Sequence, residues 1–163
     1  MIEIFKLGFD ENIKQYMLKC VDDMQAPSLD HITKTDWNIP NNVLRTYFDP
    51  IKPFINDVYY PFFQKKLGAT GIRINNLWFQ QYENQATHDW HCHPGTHFSN
   101  IYYLEFPKGA SKTEFKIDNE IVTFDVKEGD LLTFPGWLSH RSAPIADNLR
   151  KTVIVFNSCI EIK

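Results

Sequence analysis

The chain has 163 residues and a formal net charge of −3, with 23% charged and 15% aromatic residues. This length suits one domain, 1–163, whose core needs no disulfide or structural metal. The slightly acidic balance gives no footing for a nucleic-acid backbone. No stretch approaches the ~18 consecutive apolar residues of a membrane span. The N-terminus, MIEIFKLGFDENIK, lacks a basic region followed by an apolar run, so no signal peptide is expected. Cys20, Cys92 and Cys159 are odd in number, widely spaced and without a CxxC. A reduced, cytoplasmic setting is the expectation.

Residues 1–70 read as a helical support region. IEIF is a short opening strand. DENIKQYMLKCVDDM is a helix, because Ile13, Met17, Cys20, Val21 and Met24 recur at helical spacing and Asp10 can cap it. The next stretch, to Pro40, is loop-like, punctuated by Pro27 and Pro40. Helical spacing returns over 41–68. Pro50, Pro53 and Pro61 predict two or three broken segments rather than one rod, and Gly68 is a plausible stop.

From Ile72 the texture changes. IRINNLWFQQYE, HFSNIYYLEF, TEFKI, EIVTFDV, DLLTFP and KTVIVFNSCI are short, rich in β-branched and aromatic residues, and separated by turn formers. FKIDNEIVTF predicts a hairpin across Asp118-Asn119. Residues 71–163 are therefore expected to form a double-stranded β-helix, a cupin-like jelly roll, giving a mainly β protein with N-terminal helices.

Four of the six histidines lie in THDWHCHPGTH, Thr87–His97. On an extended strand, residues two apart share a face. His91 and His93 then point the same way, together with Asp89, while His88, Trp90 and Cys92 point the other way. Cys92 is expected to be a small buried filler. An HxH pair can converge on a metal, and imidazole suits Fe, Zn, Cu and Ni. His140, which follows the strand and turn of EGDLLTFPGWLSH, is the candidate third ligand. Asp89 is the alternative carboxylate ligand; His31 and His97 are expected to be structural. Trp90 and Trp137 adjoin the ligand candidates and are candidate walls of a substrate channel. Arg141 is a candidate for substrate binding or for the surface.

Two stretches, QQYENQATHDWHCHPGTHFSNIYYLEFP and EGDLLTFPGWLSHRSAPIADNLRKTVIVFN, together resemble the Fe(II)/2-oxoglutarate-dependent oxygenases. The resemblance is to small prolyl-hydroxylase-like oxygenases of bacteria and phages, whose signature runs HxHPGS, SGVYYL, FPSWLxH, then R and an apolar strand ending in FN. It covers roughly Tyr82 to Asn157. It implies Fe(II) held by His91, His93 and His140, with 2-oxoglutarate as cosubstrate. His93 stands where most of the superfamily has Asp, although the subfamily shares the His. The resemblance places the distal carboxylate of 2-oxoglutarate on Arg150, whose planar fork suits a carboxylate, with Tyr103 and Tyr82 beside it. The implied reaction uses O2, converts 2-oxoglutarate to succinate and CO2, and hydroxylates a small molecule or a peptide or protein side chain. The competing readings are a cupin-like three-histidine metal protein that does not use 2-oxoglutarate, a zinc site, and a jelly roll without enzymatic activity. Arg150 separates the first reading from the rest, because only a dicarboxylate cosubstrate requires it. The substrate-setting loops and N-terminal helices carry no motif.

Overall fold

Side-chain alternation along the central strands builds two cores on opposite faces of one sheet. The computed structural model describes residues 1–162. Its elements are β1 (Glu3–Lys6), α1 (Glu11–Asp23), β2 (Lys34–Thr35), a 3-10 turn (Thr46–Phe48), α2 (Ile51–Phe54), a π turn (Ile55–Tyr59) and α3 (Tyr60–Leu67), then eight strands. These are β3 (Gly71–Tyr82), β4 (His88–His91), β5 (Phe98–Glu105), β6 (Thr113–Ile117), β7 (Glu120–Thr123), β8 (Asp130–Pro135), β9 (His140–Ser142) and β10 (Lys151–Glu161). A six-stranded sheet runs β1-β8-β5-β10-β3-β2, and a four-stranded sheet runs β4-β9-β6-β7. All the strand pairs are antiparallel. This is the expected jelly roll with helices before it.

On β10, Ile154 and Phe156 face the helices, where they pack with Met17, Val21, Tyr59 and Phe63. Val153 and Val155 face the smaller sheet, in a core with Ile101, Tyr103, Phe115 and Phe134. A central strand covered on both sides reads as a continuous apolar run, which is why KTVIVFNSCI shows no polar alternation.

Asp10 caps α1 as expected, accepting from the Ile13 N–H at 2.9 Å. Gly68 ends α3 at φ 69°, a left-handed stop. The hairpin turn is also as expected: Asp118 and Asn119 have φ of 50° and 66° between the paired Ile117 and Glu120, the primed-turn geometry that suits strand twist.

Two expectations change. The prolines do not break the second helical region, which runs without a gap from Ile51 to Leu67. Pro50 precedes the first turn and Pro53 lies within it, where N–H groups are unpartnered in any helix. Ahead of Pro61 the chain widens into the π turn, a form that absorbs a missing helical hydrogen bond. The opening strand is as expected, β1 at one edge of the large sheet, but the stretch read as loop before Pro40 also holds β2, which forms the other edge. No helix among the described residues is long and apolar enough to cross a membrane.

The loop after β2 is fixed by a buried ion pair. Arg45 Nε donates to Asp36 Oδ2 at 2.7 Å, and Tyr47 Oη donates to the same oxygen at 2.8 Å. The Phe79 N–H donates to Asp36 Oδ1 at 2.7 Å, tying the loop to β3. Arg45→Ala leaves a fully buried carboxylate without its cation. It should destabilise the fold by about 3–5 kcal/mol, read as a lower urea midpoint; a midpoint matching the parent would contradict a structural role for the pair.

Candidate metal centre

β4 and β9 bring the histidines together through an irregular register. His88 pairs with Ser142 and His91 with His140, so three steps along β4 match two along β9. This bulge carries one extra residue and turns His88 onto the same side as His91. The two rings stack with centroids 3.9 Å apart and planes 28° from parallel. The alternation that assigned His88 to the opposite face fails at this bulge. His93 lies past the strand end, and its N–H donates to Gly136 O at 2.7 Å. A Cβ on Gly136 would stand 2.7 Å from Thr96 O and 3.0 Å from His93 O, so this close approach requires glycine.

His91, His93 and His140 each offer a ligand atom, and these atoms lie within 4.8 Å of one another. His91 Nδ1 meets Asp89 O at 2.6 Å, and His140 Nδ1 meets Leu138 O at 2.9 Å. With Nδ1–H donated to a carbonyl, Nε2 keeps its lone pair for a metal. Burial, reinforced by the neighbouring imidazoles, pushes His140 down to about 3 and His93 to about 4; burial also lowers His91. All three are therefore neutral at pH 7, the form that binds metals. Asp89 is exposed and lies outside this group, contributing its backbone oxygen instead.

Behind the histidines lies a small inner cavity of about 20 Å³, partly open to solvent, lined by Tyr82, Ile101, Thr113, Ser142, Lys151 and Val153 among others. Lys151 is 1% exposed. Its ammonium donates to Ser142 Oγ at 2.6 Å and Ser111 O at 2.9 Å, and lies 4.7 Å from the Tyr82 ring centroid. No carboxylate pairs with it among the described residues. Burial pushes its pKa down to about 7.

Arg150 does not reach this cavity. Its fork closes on Glu105, with Nε to Oε1 at 2.7 Å and Nη2 to Oε2 at 3.1 Å, and Nη1 approaches Asp22 at 3.4 Å. Lys151, two and four residues before Val153 and Val155, falls on their face; Arg150 precedes the strand and turns outward. Strand alternation counted back from Val155 would have found the lysine.

Tyr82 lines the cavity and donates to Gln80 Oε1 at 2.8 Å. Tyr103 is buried, with Oη 2.8 Å from Thr113 Oγ1, and so reaches the cavity through that threonine. Burial raises both phenols well above the usual tyrosine range. Arg141 borders the cavity but pairs with Glu114 at 2.7 Å. Trp90 lies beside Lys116 and Arg141, 4.4 and 4.8 Å from its ring centroid, and borders neither cavity. Trp137 is 73% exposed at the β8–β9 turn and walls no channel.

An outer cavity opens onto His88, His91 and His93, lined also by Leu29, Asp30, Ile32, Trp37 and Trp78. Cys92 is exposed and borders it, rather than being a buried filler, because regular alternation has lapsed past the end of β4. His97 lies outside the ligand group and accepts from the Ile160 N–H at 2.9 Å. His31 is exposed, and its carbonyl accepts from the Thr87 N–H at 2.9 Å.

His140→Ala or His93→Ala should weaken Co(II) binding by more than about 100-fold, beyond what loss of an outer partner costs, while Asp89→Ala should leave it unchanged. Equilibrium dialysis reads all three; retained affinity in either histidine variant would remove that residue from the ligand set.

No protein-family model matches the chain, and no curated protein matches it. Solved structures do. An oxidoreductase of the 2OG-Fe(II) oxygenase family from Burkholderia pseudomallei is 11% identical, with a TM-score of 0.75, over 97% of this chain and 84% of that one. The viral collagen prolyl hydroxylase of Paramecium bursaria Chlorella virus-1, solved as a 2OG complex, is 13% identical, with a TM-score of 0.69, over 99% and 96%. A Trichoplax adhaerens prolyl hydroxylase, solved with a hypoxia inducible factor peptide fragment, is 14% identical, with a TM-score of 0.70, over 97% and 83%. Along nearly its whole length, this chain has the fold of the 2OG-Fe(II) oxygenases.

Proposed function

We propose that the chain is an Fe(II)/2-oxoglutarate-dependent dioxygenase that hydroxylates a small molecule or a peptide side chain. The single observation that carries this reading is Lys151: a buried cation, without an acid partner, in the cavity behind three convergent imidazoles. Burying an uncompensated ammonium is costly, and a dicarboxylate reaching back from the metal would relieve that cost. A metal site acting on uncharged ligands has no use for such a group. The fold shared with 2OG-Fe(II) oxygenases supports the same reading.

The residues present fit both groups. His91, His93 and His140 would hold the iron, His91 and His140 through Nε2, leaving other positions open. When bound, iron(II) and 2-oxoglutarate would supply O2 activation coupled to decarboxylation to succinate and CO2. The chain's part is binding, orientation and exclusion of water. Lys151 would take the distal carboxylate in place of Arg150, with Ser142 and Thr113 supplying hydroxyls nearby. Ile101, Val153 and Val155 form apolar wall and keep the inner end dry. Three neutral imidazoles leave the metal one charge more positive than a site with two imidazoles and a carboxylate, which favours an anionic chelator. The outer cavity, walled by Trp37, Trp78 and Ile32, would receive the substrate.

Anaerobic addition of 2-oxoglutarate to the Fe(II) protein should produce the weak visible charge-transfer band of the chelate. Lys151→Ala should lose 2-oxoglutarate affinity but keep metal affinity, while Arg150→Ala should bind 2-oxoglutarate like the parent. The opposite pattern would return the anion site to Arg150, and absence of the band in the parent would sink the reading. The pH dependence has a definite sign. Above pH 7 the free Lys151 loses its proton, and a bound carboxylate restores it. Binding should therefore take up a proton, and affinity should fall about tenfold per pH unit above 7. Calorimetry in buffers of different ionisation enthalpy reads this uptake; pH-independent affinity would contradict it.

A further inference from the structure

The donors and acceptors beside the histidines can be ordered from a buried phenol. Tyr82 O–H donates to Gln80 Oε1 at 2.8 Å. This fixes the amide, so Gln80 Nε2 donates to His88 Nδ1 at 3.2 Å. The Nδ1 lone pair is thereby used, and neutral His88 carries its proton on Nε2. Among the described residues no hydrogen bond satisfies that Nε2–H.

A second donor stands near it. Trp78 is 2% exposed and its Nε1–H has no acceptor. Its ring lies 5.6 Å from that of His93, as the His88 ring stacks on His91. Both His88 and Trp78 border the inner and the outer cavity. A buried donor left unpaired is costly, and the buried Trp78 N–H, together with the unsatisfied His88 N–H on the same cavity walls, calls for an acceptor there.

We propose that His88, assisted by Trp78, binds the metal-end carboxylate of the 2-oxo acid through its Nε2–H, and that the Tyr82–Gln80 pair sets the tautomer that makes this bond possible. The inference rests on the proposed function. A 2-oxo acid that chelates a metal through its oxo group and one carboxylate oxygen leaves the second carboxylate oxygen free beside the ligands. With no carboxylate among the protein ligands, this oxygen faces no like charge. A charge-assisted hydrogen bond to it is of the stronger kind.

Two measurements test this. In the zinc-loaded protein, nitrogen-15 NMR of the histidine side chains should show His88 as the Nε2–H tautomer, and added 2-oxoglutarate should shift that resonance. Tyr82→Phe, which breaks the pair without touching His88, should give a mixture of tautomers. In anaerobic Fe(II) titrations, His88→Phe keeps an aromatic ring against His91, and Trp78→Phe keeps an aromatic filling. Each should weaken 2-oxoglutarate by about tenfold, one hydrogen bond's worth, with Fe(II) affinity unchanged. An Nδ1–H tautomer in the parent would overturn the proposal, as would parent-like 2-oxoglutarate affinity in both variants. Loss of metal affinity alongside would make His88 a support of the metal site and overturn it too. If the parent gives the chelate band and the variants titrate like it, the role of His88 fails and the dioxygenase reading stands; if the parent gives no band, the dioxygenase reading itself fails.

Discussion

A lysine ammonium buried without a counter-charge is the constraint around which the cavity is arranged. Lys151 is held by Ser142, Ser111 and the face of Tyr82, none of which neutralises it. Its position follows from β10. The residues that pack against the smaller sheet, Val153 and Val155, fix which side of the strand Lys151 takes, and that side leads to the histidines. The neighbouring cation, Arg150, is quenched by Glu105 at the surface. Two adjacent basic residues therefore have opposite fates: one forms an ordinary ion pair, and the other is buried without an acidic partner among the described residues.

The metal site combines weak local structure with a stiff platform. β4 and β9 are only four and three residues long, and their register is irregular. Precision comes from backbone carbonyls that hold Nδ1 of His91 and His140, and from the close approach of Gly136 to His93. The platform is the six-stranded sheet, covered by helices on one face and by the smaller sheet on the other. The buried Asp36–Arg45 pair fastens the loop that carries Trp37 onto β3, which sets Trp37 edge-on to Trp78 with ring centroids 4.2 Å apart. One wall of the outer cavity is thus anchored by a charge pair that never meets the ligand.

Periodic features were legible in the sequence and exceptions to period were not. The strands of the β core, the Asp118-Asn119 hairpin, the Asp10 cap and the Gly68 stop all follow from patterns with a fixed repeat or a fixed turn chemistry. The three histidines that converge were reachable from HxH spacing and one strand–turn pattern. His88 was misplaced because one extra residue in β4 inverts alternation, and nothing in THDWHCH announces a bulge. Arg150 drew the anion role from the resemblance, but its fork lies on Glu105, and alternation from Val155 turns Lys151 toward the cavity. Trp137 adjoins His140 in sequence, but a turn tip carries it into solvent. The wall contributed by Leu29, Ile32 and Trp37 was invisible, because irregular loops bring side chains together by tertiary packing alone.

The central claim is that the cavity behind the histidines accepts a dicarboxylate whose far end lies on Lys151. A crystal structure of the manganese(II)-loaded protein with 2-oxoglutarate tests it most directly. The account predicts the metal on His91, His93 and His140, and the remote carboxylate within hydrogen-bonding distance of Lys151 Nζ. A remote carboxylate on Arg150 with Glu105 displaced, or an inner cavity that stays free of ligand at saturating 2-oxoglutarate, would contradict it.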